Sequence, residues 1–210
     1  QNVLPGVPEC VDFCSTPVSS PEYHYLHIKA DNRLEADGTL RGTFILTAEG
    51  QSDSNIRRIF TTGFQSEWKS TMERQLLAIS PKARLLSVDY GKNPKDYQAA
   101  PIKITFRYEI PDYALRGEGE MFFRPMVMNN LYNQVRSYMW IDTSVENRKY
   151  GFKDGCSRLV ELDETIQLPA GYKLVSAAKD DTMQGVGAAF DGSLVQQGNK
   201  VLLPNRLALK

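Results

Sequence analysis

No stretch of this chain approaches the roughly 18 consecutive apolar residues that a bilayer-spanning helix requires, so no membrane span is expected. A basic excess is also lacking. Lys plus Arg and Asp plus Glu stand at 25 each, for zero formal charge. Nucleic-acid binders carry a basic excess or a basic stripe, and neither is visible, which excludes nucleic acid as an expected partner and an anionic membrane surface with it. Histidine is scarce, with His24 and His27 alone. The GxGxxG, P-loop and GxSxG fingerprints do not occur, and Gly185-Val186-Gly187 is too short a match to count.

Cysteine is limited to Cys10, Cys14 and Cys156. An odd count implies one free thiol or an intermolecular bridge. Cys10 and Cys14 can close a short local disulfide in an oxidising compartment; the alternative is three reduced, partly buried thiols. A Cys–His–Asp nucleophilic site needs thiol and imidazole within hydrogen-bond reach. His24 and His27 are three apart in an expected strand, so their side chains point to opposite faces. Cys10 and Cys14 lie in a Pro-rich lead-in and not at a helix N-terminus that would stabilise a thiolate.

Metal chemistry fares no better. Cys10, Cys14, His24 and His27 have a superficial C-x3-C…H-x2-H look, but the spacings miss the zinc ranges. Asp180-Asp181 and Glu118-Gly119-Glu120 offer oxygen ligands without an EF-hand pattern and read as solvated turns. No carboxylate pair for glycoside hydrolysis can be picked out. The expected set of catalytic, cofactor-binding and metal-binding residues is therefore none.

What is present is the composition of a globular protein, 41% hydrophobic and 24% charged, long enough for one large β-rich domain or two small ones. Residues 1–20, with Pro5, Pro8 and Pro17, read as a Pro-rich linker. Residues 21–210 read as the folded module, with a subdomain break available near 143–156, where the chain is polar and contains glycine. The opening Gln1-Asn2-Val3-Leu4-Pro5-Gly6 lacks the regions of a signal peptide and reads as the interior of a longer chain. The last ten residues read as a strand cut short.

Strand signals begin at Tyr23 to Ala30. Asp37-Gly38 suits a tight type I′ hairpin turn between Asn32–Ala36 and Thr39–Ala48. Ser52, Asp53 or Ser54 can cap a short helix with Ile56, Ile59 and Phe60 on one side. Gly63 breaks it, and a second helix carries Phe64, Trp68, Met72, Leu76 and Ile79 at helical spacing until Pro81. The pair should lie apolar face down on a sheet. The clearest periodicity follows. Ile102, Ile104, Phe106, Tyr108 and Ile110 alternate with Lys103, Thr105, Arg107 and Glu109, as in a half-buried antiparallel strand. Further strands are expected at 85–90, 120–124, 137–142, 159–162, 164–168 and 172–177. A closing meander is expected at 188–190, 194–196 and 201–203, with turns at Asp191-Gly192 and Gly198-Asn199 and with 126–135 a loop or one short helix. The expected fold is mainly β (α+β): an antiparallel β-sandwich with a helical pair inserted at about residues 52–80.

Three segments carry a family resemblance. The first is Leu34-Glu35-Ala36-Asp37-Gly38-Thr39-Leu40-Arg41-Gly42, continued by Ala48-Glu49-Gly50-Gln51-Ser52-Asp53 and Ile56-Arg57-Arg58-Ile59-Phe60. The second is Tyr108-Glu109-Ile110-Pro111 with Gly117-Glu118-Gly119-Glu120-Met121-Phe122-Phe123-Arg124-Pro125. The third is Ile166-Gln167-Leu168-Pro169-Ala170-Gly171-Tyr172. Together they resemble the C-terminal β-rich domain of unknown function that follows the transglutaminase-like core in secreted, Bacteroides-type bacterial proteins. The resemblance implies that the Cys–His–Asp residues lie upstream of this chain. It also implies a non-catalytic structural or interaction module, a secreted or periplasmic location, and the neighbouring transglutaminase-like domain as partner. A second reading is a glycan- or peptide-binding β-sandwich, since ten tyrosines and two tryptophans could supply an exposed stacking platform, although most strand aromatics pack.

Overall fold

The computed structural model describes residues 2–3, 14–15, 17–99, 101–127, 149, 155–177 and 180–210. Among the described residues the protein is mainly β with two α-helices. In chain order the elements are β1 (Asn2–Val3), β2 (Cys14–Ser15), a 3-10 turn (Pro21–His24), β3 (Tyr25–Leu34), β4 (Leu40–Ala48), α1 (Gly50–Thr62), a second 3-10 turn (Gln65–Glu67), α2 (Trp68–Leu77), β5 (Arg84–Asp89), β6 (Ile102–Ile110), β7 (Leu115–Arg116), β8 (Met121–Phe122), β9 (Arg158–Gln167), β10 (Asp181–Gln184), β11 (Ala188–Gly192), β12 (Val195–Gln197) and β13 (Lys200–Leu209). Among the described residues, nine strands form one sheet in the order β10-β11-β13-β9-β3-β4-β6-β5, with β12 also on β13. β1-β2 and β7-β8 are separate two-stranded ribbons.

Every neighbour in the large sheet is antiparallel except β3 and β9, which run parallel from Tyr25↔Leu159 to Arg33↔Gln167. The β-rich α+β class is as expected, while the antiparallel sandwich is corrected, among the described residues, to one large mixed sheet. The reason is topological. β3 and β9 are far apart in sequence, and alternation within each strand carries no information about which distant strand it joins or in which direction.

Alternation does decide which face is buried. The registers put Leu26, Ile28, Ala30, Asn32 and Leu34 of β3 in line with Val160, Leu162, Glu164 and Ile166 of β9, and with Ala48, Leu46, Phe44, Gly42 and Leu40 of β4. The row continues into β6, whose Ile102, Ile104, Phe106, Tyr108 and Ile110 are all buried. Phe44 and Phe106 stack at 4.2 Å. Burying each such side chain contributes about 1.5–3 kcal/mol, and this face is the floor of the core. The opposite face carries His27, Lys29, Asp31 and Arg33 of β3 beside Glu161, Asp163, Thr165 and Gln167 of β9 and is polar.

The helical pair expected at about 52–80 covers the apolar face. Ile56 and Phe60 of α1, then Trp68, Met72 and Leu76 of α2, are buried against the sheet, with Ile79 just beyond α2. Phe64 is a correction. It is 76% exposed because it precedes the 3-10 turn and is not part of the helical row. The expected side-chain caps of α1 are replaced from outside the helix. Gln51 donates its N–H to Nδ1 of His24 at 3.1 Å, and Ser52 Oγ donates to the His24 carbonyl at 3.1 Å. Gly50 makes room for this docking. It sits at φ +62°, and a Cβ there would strike the Tyr23 carbonyl and the His24 ring.

The β3–β4 turn is one residue longer than the type I′ turn expected at Asp37-Gly38. Glu35 and Thr39 close it through Glu35 N–H to Thr39 O at 2.8 Å, and Gly38 N–H reaches Glu35 O at 3.0 Å. Only Gly38 has positive φ, at +82°, which is the three-residue hairpin with glycine in the left-handed position. Pro204 interrupts nothing in β13. Its carbonyl accepts from Ser193 N–H, so its missing donor faces the gap between β11 and β12, where pairing on that side is already broken.

Candidate functional site

Glu164 is the one acidic side chain among the described residues that is enclosed in the core, at 2% exposure. It lies on the apolar face because β9 alternates through it, between Leu162 and Ile166. An ionised carboxylate there needs donors, and three converge on it. Asn32 Nδ2 donates to Oε1 at 2.6 Å, Met126 N–H to Oε1 at 3.1 Å, and Val127 N–H to Oε2 at 2.9 Å. Asn32 in turn accepts from the Tyr108 hydroxyl. Burial pushes Glu164 up to about 6 although its three donors pull the other way. Burial likewise raises Tyr108 well above the ordinary phenol range and Tyr113 above its own. The network is therefore carboxyl, amide and neutral phenol. It satisfies the buried polar atoms and binds the backbone at 126–127 to the sheet.

Beside this network the apolar face opens into a cavity of about 830 Å3, within the size range of ligand sites. Its floor is Leu34 of β3, Ile166 of β9, Phe190 of β11, and Val201 and Leu203 of β13. One wall is the segment Gly119–Phe123 with Pro125, and the other is the 168–177 stretch with Leu168, Tyr172, Leu174 and Val175. The first wall is fastened at its far end by Met126 and Val127 on Glu164, and again by the Tyr113 hydroxyl, which donates to the Arg124 carbonyl at 2.7 Å. Phe122 (61% exposed) and Val175 (86% exposed) leave the rim apolar, with Leu115 paired to Phe122 across the β7-β8 ribbon. Charge at the lining is confined to Glu120, Lys173 and Asp181.

Of the residues weighed for chemistry, Gly119, Glu120 and Asp181 line this cavity, and the histidines and Cys156 do not. His24 ends the first 3-10 turn and caps α1 instead of lying in a strand. His27 sits on the polar face, its Nε2 at 2.8 Å from Asp163. Cys156 is a free, half-buried thiol, while Cys10 and the side chain of Cys14 lie outside the described residues. Asp180 accepts Leu194 N–H at 2.8 Å, and Asp181 opens β10 at the cavity rim. Among the described residues no group of three or more His, Cys, Asp or Glu is arranged to hold a metal, and no helix is long and apolar enough to cross a membrane.

Strand expectations are also revised around the cavity. Residues 172–177 form its wall without regular pairing, β10 is an additional strand, and the two strands expected at 159–162 and 164–168 are one continuous strand, β9 (Arg158–Gln167). The turn expected at Asp191-Gly192 falls at 193–194, beyond the end of β11. The expected strand at 137–142, most of 126–135 and nearly all of the break at 143–156 lie outside the described residues. Glu164 falls within the strand expected at 164–168, and the alternation there does not show that its carboxyl meets donors from Asn32, Met126 and Val127. No family model, curated protein or solved structure matches the chain.

Proposed function

We propose that this chain is a non-catalytic interaction module of a larger secreted protein, neighbour to a transglutaminase-like domain, and that it works by seating apolar side chains of a polypeptide partner in the cavity. The observation that carries this reading is the cavity itself, about 830 Å3 over a floor made of Leu34, Ile166, Phe190, Val201 and Leu203, with an apolar rim. Two of the three segments that resemble the transglutaminase-associated domain, 117–125 and 166–172, meet around it. The histidines are committed elsewhere, one to a helix end and one to Asp163. A glycan fits less well, since saccharide hydroxyls laid on this floor would be buried without partners.

The test is titration with Nile red, an uncharged dye that fluoresces in apolar surroundings. Saturable binding is expected, weakened about tenfold or more in Phe122→Ser or Val175→Asp and unchanged in Phe64→Ser, which lies on the helical side. Displacement by Phe- and Leu-rich peptides supports the reading. Displacement by oligosaccharides alone, or no saturable binding, overturns it.

A further inference from the structure

We infer that the polypeptide partner adds to the sheet as an antiparallel strand along β10, with an apolar side chain beside Met183 and a lysine or arginine beside Asp181. The inference rests on the cavity being a polypeptide site and names how the partner's backbone is held there. β10 is the end strand of the large sheet, and among the described residues no further strand lies on its outer edge. Its pairing with β11 decides which groups that edge presents. Gly185 donates its N–H to the Ala188 carbonyl at 2.8 Å, which makes 185 and 188 a hydrogen-bonded pair beside the hairpin turn. Such pairs occur at every second position of an antiparallel ladder. Met183 and Asp181 therefore bond to β11, opposite Phe190 and Gly192. The N–H and C=O groups of Thr182 and Gln184 point outward.

The two ends of the sheet differ. At the far end β5 is broken by a bulge between Leu85 and Ser87 and carries Arg84 and Asp89, devices that discourage a further strand. β10 has no bulge, proline or lysine. Its side chains divide by face. Thr182 and Gln184 lie on the polar face, where Thr182 Oγ1 donates to Asp191 at 3.2 Å. Met183 and Asp181 share the face of Phe190 and Gly192, which line the cavity, as Asp181 itself does. Met183 is 66% exposed. A strand hydrogen-bonded to Thr182 and Gln184 would extend the apolar floor outward past Phe190 and Met183. The residue across from Met183 meets apolar surface, and the one across from Asp181 meets a carboxylate. Opposite charges facing each other across strands are favourable and like charges are not. The edge thus selects an apolar and a cationic residue two positions apart. Two β10 edges joined in overlapping register would set Asp181 opposite Met183 or Gly185, leaving its charge unmatched, so a second copy of this chain is the poorer occupant.

Hydrogen exchange with a designed peptide tests this in the full chain. In the free protein the amides of Thr182 and Gln184 should exchange faster than that of Met183, after correction for intrinsic rates. The probe is a peptide containing the run threonine, leucine, threonine, lysine, which sets the leucine against Met183 and the lysine against Asp181. It should slow exchange at Thr182 and Gln184. Methylating its two threonine nitrogens removes the donors that face β10 and should weaken binding about tenfold or more; methylating the leucine nitrogen, which points away, should not. Thr182→Pro should also weaken binding, because that N–H faces outward and an edge proline is compatible with the sheet. The methylated peptides give the same reading on the unaltered protein should that variant fail to fold. Asp181→Lys should weaken the lysine peptide about fivefold and favour its glutamate counterpart. Thr182 and Gln184 amides as protected as Met183 in the free protein, equal effects of the two methylations, or a lysine preference that survives Asp181→Lys overturns the strand addition. So does protection of both amides that grows with protein concentration, which assigns the edge to a second copy. Any of these with saturable Nile red binding leaves the cavity reading standing. Protection of both amides by the peptide without saturable dye binding supports the strand addition and overturns the cavity as the binding site.

Discussion

Gly42 of β4 lies directly across from Asn32 of β3, and a Cβ built on Gly42 would run into the Asn32 side-chain oxygen and the Asp31 carbonyl. The glycine is required by its neighbour, not by its own backbone angles. It leaves the space in which Asn32 bridges the Tyr108 hydroxyl and Glu164. Gly42→Ala should therefore destabilise the protein by about 1–3 kcal/mol through overpacking, read as a lowered urea midpoint. An unchanged midpoint would mean that Asn32 can move aside without loss.

The buried carboxyl gives a pH dependence of definite sign. Glu164 titrates higher in the folded protein, at about 6, than the ordinary 4.5. The folded state thus binds more protons between these values. Its contribution to stability is full below about 4.5 and is lost as pH rises through 6, a change of about 2 kcal/mol between pH 4 and 7.5. Asp37 and Asp112, held below the ordinary carboxylate range by hydrogen bonds from Thr39 and Lys82, work in the opposite sense at lower pH. The difference between the unaltered protein and Glu164→Gln isolates the buried group. Denaturation curves at a series of pH values should show the two proteins diverging in slope between pH 4.5 and 6, and parallel curves would contradict this.

Trp68 anchors the helical pair. It is buried and meets Phe60 edge-on at 5.1 Å and Tyr90 at 5.4 Å. Trp68→Ala should cost about 3–5 kcal/mol. Trp68→Phe should cost clearly less, because among the described residues the indole N–H has no hydrogen-bond partner to lose. Equal losses in the two variants would show that the cost lies outside ring packing.

His24 works through the backbone of α1. His24→Ala removes the acceptor for the Gln51 N–H and should lower stability by about 1 kcal/mol, as loss of a helix cap does. Incubation of the chain with amine and glutamine-peptide substrates should give no turnover before or after this change. Turnover abolished by His24→Ala or Cys156→Ser would assign them the nucleophilic chemistry that their surroundings do not suggest.

Local chemistry made much of this fold legible. The alternation of Ile102 through Ile110 fixed the buried face of β6, and the Trp68, Met72, Leu76 spacing fixed the buried face of α2. What depended on distant partners was not legible. Nothing local to Tyr25–Leu34 or Arg158–Gln167 shows that they pair in parallel. Cap-forming serines near α1 gave no hint that a histidine from another segment would take that place. Residues 172–177 read as a strand because Tyr172, Leu174 and Val175 suit one, yet here those side chains line the cavity. β10 was missed because all four of its residues are exposed, which leaves no apolar alternation to see. The cavity itself is built by segments far apart in the chain, and no spacing rule brings them together.

The central claim is that the cavity seats apolar side chains of a polypeptide. Selection from a random peptide display library against the immobilised protein tests it most directly, followed by affinity measurement of the selected peptides on the unaltered protein and on Phe122→Ser. The account predicts enrichment of peptides bearing Phe, Leu or Ile, with binding lost in Phe122→Ser and kept in Phe64→Ser. Enrichment without apolar side chains, or binding indifferent to Phe122→Ser, would contradict it.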